Sequence, residues 1–225
     1  MTQNGLGASS GLRRFAAPRT ATSPDPERCA LCGTPVLPGH RHLVDTQHRS
    51  LACACTACGL LFMRGDPVPP RPPGLTHEGA AGGRYRMVPD RVLRDPAGPL
   101  TDAEWASLAI PVNVAFFFVN SALGRVVASY PSPAGVTECE LDLAAWEELA
   151  AARPLLRALA PDVEAILVAG ASPRETFLVP IDACYSLAGA LRLNWHGFDG
   201  GAEVREILTA FVGDLRSRAR ALEAR

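Results

Sequence analysis

The chain has 225 residues, and its 22 basic residues are all arginine, against 23 acidic residues, which gives a net charge of −1 at pH 7. This length allows one domain of ordinary size with a small module beside it. Because there is no lysine, the sequence excludes Schiff-base catalysis and the lysine of a phosphate-binding loop, and the balanced charge favours neither a nucleic-acid partner nor a membrane surface.

Residues 1–27 are rich in Ser, Thr, Pro, Ala and Gly, a composition that predicts a disordered N-terminal tail. The tail contains Arg13-Arg14-Phe15, but no apolar stretch follows that could act as the core of an export signal. Residues 110–119 form the longest apolar run, which is too short to span a membrane. Five of the seven cysteines fall within residues 29–58, which is typical of a metal site in a reducing compartment. We therefore expect a cytoplasmic protein.

Residues 28–65 carry two copies of Cys-x-x-Cys-Gly, at positions 29–33 and 55–59. In such a knuckle a tight turn points amide groups at the sulfurs, and the glycine relieves crowding after the second cysteine. Two knuckles supply four thiolates, the donor set of a closed tetrahedral site for zinc or, alternatively, for a single iron. We predict a small four-cysteine zinc-ribbon module whose metal ligands are Cys29, Cys32, Cys55 and Cys58.

Two further side chains of the module are candidates for the metal. Cys53 precedes Cys55 by two residues on a predicted strand, so its sulfur projects to the same side. His42 shares a face with His40 on the other predicted strand. Cys53 and His42 are either additional ligands or hydrogen-bonding groups around the ligands. The two strands begin at residues 42 and 50, and residues 60–63 are predicted to add an apolar strand over the metal site.

Residues 66–99 are predicted to be a Pro/Gly-rich linker. Five prolines fall between positions 67 and 73, and three glycines between positions 79 and 83. This composition is typical of an extended, semi-rigid connection. We expect the linker to leave the metal module independent of the rest of the chain and to be cleaved first by proteases.

Residues 100–225 are predicted to form an α+β domain of about five strands and several helices, because strands come first and helices later along this part of the chain. Thr101, Asp142 and Asp182 are predicted helix N-caps, and apolar positions at a spacing of 3.6 mark a helix over residues 204–215. The predicted strands are residues 110–119, 124–130, 136–141, 163–168 and 176–179.

The sequence offers little for catalysis. It contains no Gly-x-Ser-x-Gly motif, and three of its five histidines belong to the metal module. Glu138 and Glu140 share one face of a predicted strand, and an exposed sheet edge accounts for both. Cys184 lies on the apolar face of its predicted helix, which indicates a buried core thiol. We therefore predict a non-enzymatic protein.

Motifs spread over residues 28–215 resemble those of one protein family. They are the two knuckles, His40-Arg-His42-Leu, Ile110-Pro-Val, Tyr130-Pro-Ser-Pro-Ala-Gly, Pro161-Asp-Val-Glu-Ala and Val179-Pro-Ile-Asp-x-Cys-Tyr. The family is uncharacterised, comes from high-GC bacteria and is encoded near nickel–iron hydrogenase genes. The resemblance implies a genomic context near hydrogenase genes, but it implies no mechanism. It also implies that the partners are hydrogenase subunits or maturation factors.

Our first hypothesis is a non-enzymatic, metal-binding accessory protein with a structural zinc, which supports assembly, maturation or partner contacts of a nickel–iron hydrogenase. The alternative is an electron carrier, because the paired knuckles also resemble those of rubredoxin, where iron replaces zinc. A third hypothesis is nickel delivery, since hydrogenase nickel-insertion proteins bear a similar ribbon. Those proteins begin Met-His, whereas this chain begins Met1-Thr2.

Overall fold

The computed structural model describes residues 26–62, 84–197 and 199–222, and these form ten strands and six helices. The strands are β1 Arg41–Asp45, β2 Ser50–Ala54, β3 Tyr85–Met87, β4 Leu93–Arg94, β5 Val114–Asn120, β6 Arg125–Ser132, β7 Gly135–Cys139, β8 Glu164–Ala169, β9 Glu175–Pro180 and β10 Arg220–Ala221. The helices are α1 Thr56–Leu60, α2 Asp102–Ser107, α3 Leu143–Ala152, α4 Pro154–Arg157, α5 Ile181–Leu193 and α6 Gly201–Arg218. The α+β class predicted from the sequence is confirmed. Most of the predicted tail, and residues 66–83 of the predicted linker, lie outside the described residues.

Strands β1, β2 and β3 form a three-stranded antiparallel sheet in the order β2-β1-β3. We call residues 26–62 together with β3 the ribbon. The buried Asp45 closes the turn between β1 and β2, because its carboxylate accepts hydrogen bonds from the amides of Gln47 and His48, both at 3.1 Å. The Arg84 guanidinium, just before β3, donates to the same carboxylate and so fastens the third strand to this turn.

The third strand of the ribbon differs from the one predicted at residues 60–63. The second knuckle continues into helix α1, where Leu60 and the following Leu61 are exposed to solvent. Met63 lies outside the described residues. Strand β3 takes the third place instead, and it comes from the segment that the sequence marked as linker. The apolar residues after the knuckle predicted a strand wrongly because the hydrogen bonds of the knuckle already set the backbone to helical geometry.

The second sheet has seven strands in the order β10-β4-β9-β8-β5-β6-β7. All its pairings are antiparallel except that of β10 with β4. Five of these strands overlap the five predicted from the sequence. The other two, β4 and β10, have two residues each, which is too short for any hydrophobic alternation to reveal.

Alternation of side chains along β5 gives this sheet two apolar faces. Phe116 belongs to a core with Leu187 of α5 and Val204 of α6. Phe117 points the other way, into a core with Trp146 of α3, and the centroids of these two rings are 4.9 Å apart. The molecule therefore has helices α2, α3 and α4 on one side of the sheet and helices α5 and α6 on the other.

The ribbon packs on the same side of the sheet as α5 and α6. Val44 of β1 and Val88, just after β3, are buried in the core that also contains Phe118. The Arg86 guanidinium of β3 donates to the Pro161 carbonyl oxygen over 2.7 Å. We expected an independent module, whereas Val44 and Val88 of the ribbon segment share a core with the larger sheet. The physical reason is that residues 84–99 of the predicted linker supply one strand to each sheet. This segment therefore connects the ribbon directly to the larger core.

Two of the three predicted helix caps are confirmed. Thr101 and Glu104 form a reciprocal capping box on α2. The Asp142 carboxylate accepts hydrogen bonds from two amides in the first turn of α3. Asp182 does not cap α5, which begins after Pro180 and has no side-chain cap. None of the helices in the described ranges has the length and apolarity that crossing a membrane requires.

Candidate metal centre

The four cysteines of the two knuckles come together at one end of the ribbon. The sulfurs of Cys29, Cys32, Cys55 and Cys58 all lie within 4.8 Å of one another. The Sγ atoms of Cys32 and Cys55 are 3.7 Å apart. A tetrahedral ion with metal–sulfur bonds of about 2.3 Å has sulfur–sulfur edges of about 3.8 Å. The thiols therefore stand at the separation that a single tetrahedral ion requires.

The first knuckle is a turn closed by backbone hydrogen bonds. The Gly33 amide donates to the Cys29 carbonyl oxygen over 2.9 Å, and the Cys29 amide donates to the Thr34 carbonyl oxygen over 2.8 Å. Gly33 has φ +74°, in the left-handed region that disfavours any side chain. Here the glycine of the motif is required by the backbone conformation of the turn.

The second knuckle uses a helix terminus. Cys55 is the N-cap of α1, and its sulfur accepts a hydrogen bond from the Cys58 amide at 3.4 Å. Gly59 lies inside this helix and is buried. A Cβ atom at Gly59 would stand 2.7 Å from the Cε atom of Met87, which packs there from β3. The second glycine of the motif therefore makes room for the third strand of the ribbon.

The environment of the sulfurs favours a bound cation. Burial opposes ionisation of Cys29, yet amide hydrogen bonds from Cys55, Leu31 and Cys32 outweigh it and lower the pKa of Cys29 to about 6. The thiols of Cys55 and Cys32 raise the pKa of Cys58 to about 12, because further negative charge among packed sulfurs is unfavourable. A divalent metal ion would neutralise this charge, and four soft sulfur donors suit zinc or iron.

The other two candidates, Cys53 and His42, are placed elsewhere. They face each other across β1 and β2, and together with His40 they form a separate group, in which one ligand atom from each residue lies within 4.8 Å of the others. His42 Nδ1 is 2.8 Å from the Asp182 carboxylate, which raises the pKa of His42. Sequence reasoning missed Asp182 as the partner of His42, because 140 residues separate them and no local signal connects them.

The remaining residues considered for chemistry lie apart from these clusters. Cys184 is fully buried on α5, and burial raises its pKa well above the ordinary range. Glu138 and Glu140 are exposed, and Glu138 forms an ion pair with Arg49 of the ribbon over 3.4 Å. Neither arrangement brings an acid, a base and a nucleophile together, so the metal centre is the feature that best identifies a function.

Comparisons with known proteins agree with the resemblance to an uncharacterised family. A family model described as "Family of unknown function (DUF5947)" matches residues 28–219. The matched span contains all seven cysteines and both sheets except β10. The comparison with curated proteins found no match, and neither did the comparison with solved structures.

Proposed function

The chain belongs to this family of unknown function, and we propose that it is a non-enzymatic accessory protein whose ribbon is held in shape by one zinc ion. The observation that carries the proposal is the cluster of four sulfurs within 4.8 Å. Four thiolates complete a tetrahedral zinc site and leave no position for water or substrate. The zinc would therefore support structure rather than catalysis.

The ribbon depends on this ion because it has little core of its own. Within residues 26–62 the buried apolar side chains are Cys29, Leu43, Val44 and Ala54. Metal binding contributes about 10–16 kcal/mol to the folding of comparable zinc peptides. This free energy can more than make up for the small apolar core of the ribbon. Loss of one thiolate would release the ion and unfold the knuckles.

Partner contact is the second part of the proposal. Five of the nine large apolar side chains that are exposed in the described ranges belong to the ribbon: Leu31, Leu37, Leu51, Leu60 and Leu61. Leu60 and Leu61 directly follow the second knuckle, so the zinc site positions them. Neighbouring exposed apolar side chains such as Leu60 and Leu61 favour a protein partner. The resemblance to a family encoded near nickel–iron hydrogenase genes suggests that the partner is a hydrogenase subunit or maturation factor.

The metal part of the proposal is tested by metal content and visible spectrum. Protein purified without added metal should be colourless and contain one zinc per chain, and the Cys29→Ser variant should lose that zinc. Cys139→Ser, outside the cluster, is the matched control and should keep it. If the protein is instead red and contains one iron per chain, the accessory function is refuted and a rubredoxin-like electron carrier is supported.

The partner part is tested in a host that encodes a nickel–iron hydrogenase. Deletion of the gene should lower hydrogenase activity, and the wild-type chain should restore it. A Leu60→Ser, Leu61→Ser variant should keep its zinc and fail to restore activity, because both side chains are exposed and their loss leaves the ribbon folded. Unchanged hydrogenase activity after deletion would refute the connection with the hydrogenase.

A further inference from the structure

A second group of metal-binding side chains lies on the ribbon beside the cysteine cluster. His42 of β1 pairs directly with Cys53 of β2, and His40 precedes His42 by two residues on the same side of the chain. The two imidazole centroids are 4.7 Å apart, and one ligand atom from each of the three residues lies within 4.8 Å of the others. We propose that His40, His42 and Cys53 bind a second transition-metal ion, distinct from the ion of the four-cysteine site.

The imidazole of His40 is placed to coordinate a metal ion. Its side chain is only 8% exposed, and its Nε2 atom is buried without a hydrogen-bond partner in the described part of the chain. Its Nδ1 atom lies 3.0 Å from the Leu37 carbonyl oxygen. A carbonyl oxygen can only accept a hydrogen bond, so Nδ1 carries a proton and Nε2 of the neutral imidazole keeps a free lone pair. A buried lone pair without a partner is unfavourable, and a metal ion would satisfy it.

His42 is oriented in the same manner by a different group. Its Nδ1 atom donates to the Asp182 carboxylate at 2.8 Å, across the boundary between the ribbon and helix α5. This bond fixes the imidazole and leaves Nε2 as the atom available to a metal. A carboxylate behind a histidine ligand is the usual support of metal-bound imidazole in proteins. Asp182 is therefore a positioning residue of the proposed site.

The donor set determines which ions fit. Two imidazole nitrogens and one thiolate prefer borderline transition-metal ions such as Zn²⁺, Ni²⁺ or Co²⁺ over Mg²⁺ or Ca²⁺. Three protein ligands leave one position of a tetrahedral ion open, unlike the four thiolates of the other cluster. His40, His42 and Asp182 also line a cleft of about 370 Å³, so the histidine side of the proposed site faces an opening in the surface. The site is thus suited to an ion that exchanges with solvent or with a ligand from another molecule.

The proposal is tested with Co²⁺ as the probe and the full chain carrying one equivalent of Zn²⁺. Thiolates bind Zn²⁺ more tightly than Co²⁺, so Co²⁺ reports the second site alone. We expect one equivalent of Co²⁺ to bind with the intense visible absorption of tetrahedral coordination and a sulfur-to-cobalt charge-transfer band. His40→Gln and Cys53→Ser should each weaken this binding by more than about 100-fold and keep the zinc, and Asp182→Asn should weaken it about 10–100-fold.

His48→Gln is the matched control. His48 is also a ribbon histidine, but it is exposed in the turn after β1 and lies outside the cluster, so Co²⁺ binding should be unchanged. Retained zinc shows in each variant that the ribbon is folded. A wild-type chain that binds one metal ion in total overturns the proposal, as does a Cys53→Ser variant that releases the zinc. Either result leaves the zinc-dependent accessory function to be decided by the Cys29→Ser variant.

Discussion

Arg91 anchors the segment that leads from the ribbon into the seven-stranded sheet, and its replacement by alanine should destabilise the whole fold. Its guanidinium forms a forked ion pair with Glu164, with nitrogen–oxygen distances of 2.6 and 2.8 Å. Glu164 is the first residue of β8, and its side chain is 0% exposed. The Arg91→Ala substitution would leave a buried carboxylate without its cation.

The size of the effect follows from what remains around Glu164. Removing one partner of a buried ion pair costs about 3–5 kcal/mol. Arg91 itself is exposed, and the Ala160 amide continues to donate to the Glu164 carboxylate over 2.9 Å. We therefore expect a loss of about 3 kcal/mol, at the lower end of that range. For a chain of this size such a loss lowers the unfolding temperature by about 6–12 °C.

The matched control is Arg216→Ala, measured beside Arg91→Ala by scanning calorimetry. Arg216 of α6 makes the same forked contact with Glu175, but Glu175 is 24% exposed and solvent can replace the lost cation. Exposed ion pairs contribute little to stability, so the unfolding temperature should hardly change. If the two variants lose equal stability, burial of the carboxylate does not decide the cost and the reasoning is refuted.

Three further predictions concern acid stability, domain association and the first knuckle. Arg153 lowers the pKa of Glu104 to about 2, so the stability from this pair is present above pH 4.5 and lost as the pH falls towards 2. In urea unfolding, the stability of Glu104→Gln should not fall over this pH range as that of the wild-type chain does. The same pH profile for both chains would contradict the prediction. A protease sequence inserted within residues 66–83 should allow cleavage, after which both halves should elute together in gel filtration because they share a core. Separate elution would show that the ribbon does not dock. Gly33→Ala forces a side chain into the left-handed region and should weaken zinc binding roughly 5–30-fold in chelator competition, from a strain of about 1–2 kcal/mol. Unchanged affinity would mean that the turn relaxes.

The features that the sequence predicted are those formed by residues close together in the chain. Each knuckle is a local turn, so its spacing predicts the pair of thiols that it brings together, and the two matching pairs predicted one four-sulfur cluster. The same holds for the capping box of Thr101 and Glu104, three residues apart. The apolar run over residues 110–119 likewise predicted the strand that forms β5 at residues 114–120.

The features that the sequence did not predict depend on contacts between distant residues. Val44 and Val88 join the ribbon to the larger core, but each is an ordinary apolar residue whose partners lie far along the chain. Strand β3 follows a Pro/Gly-rich stretch, and its three residues are too few to show a period. Asp182 was predicted to be a helix cap, and only the fold shows that its carboxylate accepts a hydrogen bond from His42.

Strand β8 lies between β9 and β5, and all six of its residues are buried. Amide hydrogens of a buried central strand exchange with deuterium at the high end of the stability range, so we expect exchange along β8 to require the sheet to come apart. Strand β10, by contrast, consists of two exposed residues at the edge of the same sheet. Deuterium exchange along β8 therefore measures the free energy of global unfolding, whereas exchange in β10 reports only the fraying of an edge.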